Sequence, residues 1–253
     1  MGDERVDKVL LRLIGVVSIC FGSGLLAETS SNFSVGAAYI NSNSIYTGVG
    51  STSRLMPSIA YENDKVKVGL REGVSYQFID NEAFNMSAAI TPNFRPYDSS
   101  DSTTLSGMDR KMTFDGVIMG SVDIIRGSTL KLKMASEVTN EFNGTLVDLA
   151  FSQFIPIGGQ PVIFSLGSKN YDSNRSEYFF GVKSSEAVVG RAAYDPGPVA
   201  ITYLSVNTFF NITPDIGAFA NITTNFLPSK AKNSPIISKG SNTAAILGLS
   251  YSF

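Results

Sequence analysis

The chain ends in AAILGLSYSF, residues 244–253. Leu247, Leu249, Tyr251 and Phe253 fall on one parity, and Gly248, Ser250 and Ser252 on the other. A period of two puts successive side chains on opposite faces of a strand, so this segment has one greasy face and one small, polar face. The last residue is a phenyl ring on the greasy face, where chain termini are ordinarily frayed and polar.

The same alternation recurs upstream. Val66, Val68, Leu70, Val74, Tyr76 and Phe78 share a parity broken by Glu72, with Lys65, Lys67, Gly69, Arg71, Gly73, Ser75 and Gln77 between them. Met112, Phe114, Ile118, Val122 and Ile124 oppose Thr113, Asp115, Ser121 and Asp123. Leu130, Leu132, Met134 and Val138 oppose Lys131, Lys133 and Glu137. These runs extend over about 10–15 residues, whereas an ordinary strand has about 5–6 and a tilted bilayer-crossing strand about 9–11. Backbone N–H and C=O groups cannot stay unpaired in hydrocarbon, so a β protein in lipid must close on itself. The expected fold is therefore all-β, a transmembrane antiparallel β-barrel with an apolar exterior and aromatic rings at the headgroup level. Phe253 then lies on the lipid side of the last strand, where it resembles the signal read by the outer-membrane assembly machinery.

Candidate strands cover 33–40, 54–61, 66–79, 83–94, 112–124, 129–139, 145–154, 162–168, 177–183, 187–194, 199–210, 215–224 and 243–253. Single-chain bacterial barrels have an even strand number. The weakest segment, 33–40, is set aside from the wall, which leaves about 12 strands, or 10 if neighbouring short runs merge. With the C-terminus in the periplasm, 62–65, 95–111, 140–144, 169–176, 195–198 and 225–242 face outward. The opposite set, 80–82, 125–128, 155–161, 184–186 and 211–214, is short throughout, the asymmetry of outer-membrane barrels.

Lys8 and Arg12 precede the apolar run LIGVVSICFGSGLLA, which ends at Ala27. A positive start, a short apolar core and a small residue before the break describe a signal peptide over 1–27. Residues 28–253 are then the barrel, with 28–53 a Ser/Asn/Gly-rich lead-in, periplasmic or luminal. The single cysteine, Cys20, falls in the leader, and the bulky Ile19 before it argues against lipoprotein processing. The expected location is the outer membrane of a Gram-negative bacterium, after cleavage of the leader.

Composition narrows the function. The net charge is −2 and histidine is absent. No basic excess points to nucleic acid, and the commonest general base and zinc ligand is missing. Serine is abundant but has no histidine to activate it. Asp98 and Asp101 sit in a Ser/Asp-rich loop and read as solvated carboxylates. GVGSTS (48–53) and IGGQP (157–161) lack the Gly-Lys-Ser/Thr of a phosphate loop. The chain is expected not to be an enzyme, with no catalytic, cofactor or metal residues. On the polar faces Lys65, Lys67, Arg71, Asp115, Asp123, Lys131, Lys133 and Glu137 point into the lumen as a hydrated ion-pair network, with a selectivity lining as the alternative.

Four stretches resemble the MipA/OmpV family, the MltA-interacting outer-membrane proteins. SEYFFGVKSSEAVVGRAAYDPG (176–197) is similar to its YFGV…EA…R…Y-x-P-G stretch, through Tyr178, Gly181, Arg191 and Tyr194. FLPSKAKNSPIISKGSNTAAILGLSYSF (226–253) resembles its closing segment, through Leu227, Ser234, Pro235, Ile236, Tyr251 and Phe253, with Asn233 where the family has an acid. IYTGVGSTSRLMPSIAYEN (45–63) is similar through Tyr46, Gly48, Arg54, Pro57 and Tyr61, and TTLSGMDRKMTFDGVI (103–118) through a Leu-x-Gly-Met element containing Gly107. The resemblance implies an outer-membrane barrel without a catalytic residue. For one class of members it implies a scaffold between a lytic transglycosylase and a peptidoglycan synthase; for OmpV-like members, surface and adhesion roles. Three readings stay open: a scaffold, an adhesin or receptor using 95–111 and 225–242, and a small-solute channel.

Overall fold

The computed structural model describes residues 32–253 except 71, 82 and 83, so the leader reading lies outside the described residues. Twelve antiparallel strands form a closed barrel: β1 Asn32–Ser42, β2 Thr52–Glu62, β3 Val66–Gly69, β4 Gly73–Asp80, β5 Phe84–Asn93, β6 Thr113–Ile125, β7 Ser128–Glu137, β8 Thr145–Ile157, β9 Gln160–Tyr171, β10 Val199–Asn211, β11 Ile216–Phe226 and β12 Ser241–Ser252. Each strand pairs with its sequence neighbours, and β1 pairs with β12 from Ser34↔Ser252 to Ser42↔Ala244. The Phe253 N–H donates to the Phe33 carbonyl at 3.0 Å, so the seam is bonded to the last residue of the chain.

The expected twelve strands are present, but not the same twelve. Segment 33–40, set aside from the wall, is β1 and closes the barrel, so residues 32–42 of the expected 28–53 lead-in belong to the wall. Segment 66–79 is two strands. The turn falls where Glu72 breaks the apolar parity, and Gly73 takes φ +81 with its Cα against Ile90, where a Cβ would meet the carbonyl oxygen at 2.0 Å. Segment 177–183 is mostly helix instead. Asp172 caps α1 (Ser173–Phe180) by accepting the Arg175 N–H at 2.8 Å, and no β-branched residue occurs in the helix to oppose it. Segment 187–194 is a tight turn on Gly190 (φ +84), closed by a Val188–Arg191 bridge. Segments 62–65 and 184–186 accordingly exchange ends relative to expectation.

The wall is built as lipid requires. Leu55, Ile118, Leu132, Leu166, Leu204 and Leu249 all stand exposed on its outer face. Phe253, 71% exposed, packs beside Phe33 and Tyr251 with ring centroids 5.8 and 4.9 Å away. Such a face in water would be a severe liability; in a bilayer it is the required surface. Six inward positions of β1, β2 and β12 are small, Gly36, Ala38, Ser58, Ala60, Gly248 and Ser250, beside the larger Ile40, Arg54, Met56 and Ile246. Two luminal aromatics lie flat on glycines. A Cβ at Gly248 would stand 2.1 Å from the Phe219 ring, and one at Gly167 2.4 Å from the Tyr203 ring.

Candidate functional site

One end of the barrel carries the short β2–β3, β4–β5, β6–β7, β8–β9 and β10–β11 connections. The other carries the loops 43–51, 94–112, 138–144, 172–198 and 227–240 beside the short β3–β4 connection. These longer loops fold into a cap with its own core. Leu105, Met108, Ala231 and Ile236 are fully buried there, among Tyr46, Tyr97, Phe180 and Val182. The geometry places this core across the mouth. The loops after β1, β5 and β9 leave the ring four strands apart, a third of the circumference each, yet they touch one another. Tyr46 meets Tyr97 edge-on with centroids 4.6 Å apart, the Ser102 hydroxyl donates to the Thr47 carbonyl at 2.7 Å, and Arg110 reaches the Tyr178 carbonyl at 2.9 Å.

Three arginines stitch the cap. Arg110 donates to both oxygens of Glu186 (2.6 and 3.2 Å), with its guanidinium over the Tyr97 and Tyr178 rings. Such a fork-to-fork pair fixes orientation as well as distance. Arg191 donates to the backbone carbonyls of Thr104, Ser106 and Glu186, binding the β5–β6 loop to the β9–β10 loop. Arg175 on α1 pairs with Asp115 on the inner wall at 2.5 Å, both nearly excluded from solvent, and lies 5.6 Å from the Phe142 and Tyr171 rings. Gly144 makes room for that helix, since a Cβ there would stand 2.5 Å from the Arg175 nitrogen.

Burial pushes the Tyr97 hydroxyl up to about 12. Burial would also raise the Glu186 carboxyl, but hydrogen bonds from Arg110 and the Lys183 N–H outweigh it and hold the group below its ordinary range. A depressed carboxylate lends stability above its unfolded pKa, and that stability is lost as pH falls through the folded value. The cap should therefore resist proteolysis unchanged from neutral pH down to the ordinary glutamate range and loosen only below it. Cleavage of the 172–198 loop against pH reads this, and loosening that begins near neutrality would contradict the pairing.

Most of the residues that carry the family resemblance meet in the cap, Leu227 and Ile236 in its core among them. The Tyr46 hydroxyl donates to the Phe179 carbonyl at 3.0 Å, Tyr178 to that of Lys111 at 2.6 Å, and Tyr194 to that of Lys230 at 2.7 Å. Gly48 (φ +78) lies against Ser102, Gly107 (φ +77) links Leu105 to Met108, and Gly181 ends α1 where a Cβ would strike the Glu177 carbonyl oxygen at 2.6 Å. Arg191 is the stitch described above, while Ser234 and Pro235 lead into buried Ile236. Arg54, Pro57, Tyr61, Tyr251 and Phe253 lie instead in the wall.

The expected luminal network is redistributed. Asp123 accepts from the Thr129 hydroxyl at 2.7 Å, and Lys67 pairs with Glu62 at 2.6 Å. Glu137 is no lumen lining: its carboxylate gathers the N–H groups of Thr139, Glu141, Phe142 and Asn143, and so shapes the β7–β8 loop. Asp98 accepts from the Ser100 N–H and hydroxyl and pairs with Arg95, while Asp101 accepts the Asp98 N–H, so both carboxylates are engaged within their own turn. Sequence reasoning missed Asp148, Lys169 and Tyr203, which with Lys133 form a row across the upper lumen. Lys133 is cross-strand partner to Asp148, and Asp148 to Lys169. The Tyr203 hydroxyl donates to Asp148 at 3.2 Å, and Lys169 lies 4.8 Å from the Tyr203 ring centroid. Asp148 sat on the polar parity of its run, and Lys169 stood one residue past the expected strand end.

Comparison with known proteins agrees with this architecture. The family model described as MltA-interacting protein MipA matches residues 35–253. The outer membrane protein YiaT of Escherichia coli (strain K12) is 24% identical over 237 residues, covering 90% of this chain and 94% of that one. The MltA-interacting protein of the same strain is 24% identical over 251 residues, 98% and 100% of the two chains. Outer membrane protein OmpV of Vibrio cholerae serotype O1 is 25% identical over 209 residues, 74% and 77% of the two.

Proposed function

The chain belongs to the MltA-interacting protein MipA family, and from that premise we propose that this outer-membrane barrel is a non-enzymatic scaffold holding a peptidoglycan-remodelling enzyme at the membrane. The partners are a lytic transglycosylase and a peptidoglycan synthase, as the name of the Escherichia coli relative suggests for the former. Long loops face outward and short turns face the periplasm in barrels of this kind. The cap then covers the outer mouth, and the turn end faces the peptidoglycan.

The observation that carries this reading is the cap itself. Loops rooted a third of the ring apart pack into one buried core, which suits a closed wall-mounted platform better than an open pore. Planar-bilayer recordings should accordingly be silent for the intact protein, and stepwise currents should appear when 172–198 is replaced by a short turn. Steady currents from the intact, heat-modifiable protein would favour the channel. Docking is tested by photo-cross-linkers placed at Asp64 and Asp215 in the turns. Capture of a transglycosylase or synthase from cell envelopes is expected; adducts with lipid alone would sink the scaffold reading.

One feature favours the receptor reading as the second choice. Val189 is wholly exposed (105%) at the tip of the turn that Arg191 holds rigid, and Val188 stands beside it at 59%. If the protein is a surface receptor, V189D should abolish cell binding while leaving the heat-shifted mobility intact.

A further inference from the structure

The wall is not of even height. β3 has 4 residues and β4 has 8, between neighbours of 11 and 10. β2 pairs with β3 only over Ala60–Glu62, with one further bond from the Leu70 N–H to the Ile59 carbonyl at 3.3 Å. From Thr52 to Ser58 it pairs on the β1 side alone. On the far side β5 pairs with β4 only as far as Ile90, but with β6 as far as Asn93. Among the described residues no strand fills the space between, so a notch two strands wide opens the loop-end part of the wall.

Prolines mark both flanks of this notch. The Ile59 carbonyl points to the β3 side, so two residues on, at Pro57, the missing N–H also belongs to that side. On β6 the Phe114 carbonyl is turned to β7, where it accepts the Val138 N–H at 2.9 Å, so the alternate residues Thr113 and Asp115 face β5. Their partners Asn93 and Thr91 face back, which turns Pro92 into the notch. A proline on an open edge removes a ladder donor and blocks strand addition. Both edges are thus chemically set against being filled by another strand.

The notch looks onto the lysine row. β9 and β10 lie six strands from β3 and β4, directly across the ring. Lys133, Asp148, Lys169 and Tyr203 all fall within five residues of the loop ends of their strands, in the part of the wall that the notch leaves open. Above them is the cap, in which Arg175 and Asp115 neutralise each other. Lys133 and Lys169 flank one carboxylate, Asp148, and Lys169 also donates to the Asn225 Oδ1 at 3.3 Å, so among the described residues of this row two ammonium groups face a single acid. Outside the notch, Leu55, Val74 and Ile90 present apolar surface to lipid.

We propose that the notch is a lateral portal from the outer leaflet, and that Lys133 and Lys169 receive the anionic head of a single-chain amphiphile whose acyl tail lies through it. The head is a carboxylate or a phosphate. This goes beyond the scaffold reading and depends only on the loop end facing outward.

The probes are spin-labelled stearic acid, its methyl ester and a spin-labelled lysophosphatidic acid, added to the mature protein in phosphatidylcholine vesicles. The acid should show an immobilised component corresponding to about tenfold tighter association than the ester, the scale of one hydrogen bond to a charged group. K133M/K169M should reduce the acid to the level of the ester, and S58W, which crowds the portal from β2, should weaken both. Immobilisation of the acid alone identifies a carboxylate site; of lysophosphatidic acid alone, a phosphate site; of both, a general anion site. Equal immobilisation of acid and ester without preferential immobilisation of lysophosphatidic acid, or no response to either variant, would overturn the proposal. Heat-shifted mobility confirms that each variant is folded, and if the lysine pair variant fails that control, the S58W result decides.

Discussion

Arg175→Met is expected to destabilise the folded barrel by about 3–5 kcal/mol, the cost of breaking a buried ion pair and leaving its partner charged in the dark. Asp115 would lose the guanidinium held at 2.5 Å, and its other carboxylate oxygen has no hydrogen-bond partner among the described residues to compensate. Phe142 and Tyr171 would lose the cation between them. Since Asp115 belongs to the wall and Arg175 to the cap, the damage should be local first. Protease should cut 172–198 well before the barrel unfolds in urea. The double variant D115N/R175M should recover part of the loss, because a neutral amide tolerates burial better than an orphaned carboxylate. If the double variant is as unstable as the sum of the two singles, the pair is not the coupling that it looks to be.

The second large effect should come from Gly36→Val. Gly36 lies on β1 at the closing seam, where a Cβ would stand 2.1 Å from the Leu249 carbonyl oxygen and 2.9 Å from the Ser250 Cα. Both obstacles are backbone, so no side-chain rotation relieves them. Overpacking a core costs about 1–3 kcal/mol; here the strain falls on the ladder that closes the cylinder, and yield of heat-modifiable protein should fall sharply. Gly50, with open space around it, is the control. Equal yields of G36V and G50V would show that the seam yields without cost.

The sequence spoke most clearly where one face meets lipid. There the apolar parity is a direct record of the environment, and β6, β7 and β12 were legible to within a few residues. It was ambiguous wherever both faces meet something mild. β1 alternates Tyr39 and Phe33 with Gly36 and Ala38, and its weak contrast reflects the small residues that line the lumen at that wall. The cap misled for a different reason. Tyr178, Phe179 and Phe180, and Val188 with Val189, have the composition of strands, yet their places are set by the Asp172 cap that starts α1 and by Arg110 and Arg191 bonding to groups far away in sequence. Only the family resemblance hinted that Tyr46, Gly107, Arg191 and Ser234 belong together. The notch left two local traces, Pro57 and Pro92, whose meaning depends on which way each residue faces, and that follows from register.

The β1–β12 seam joins the first and last strands of the barrel. A ribosomal product stopped short of β12 has nothing to zip β1 against, and it stays an open ribbon with two raw edges. Closure therefore waits for β12, and Phe253, bonded to Phe33, is the latch. Truncated copies should be handed to envelope proteases instead of accumulating as smaller rings.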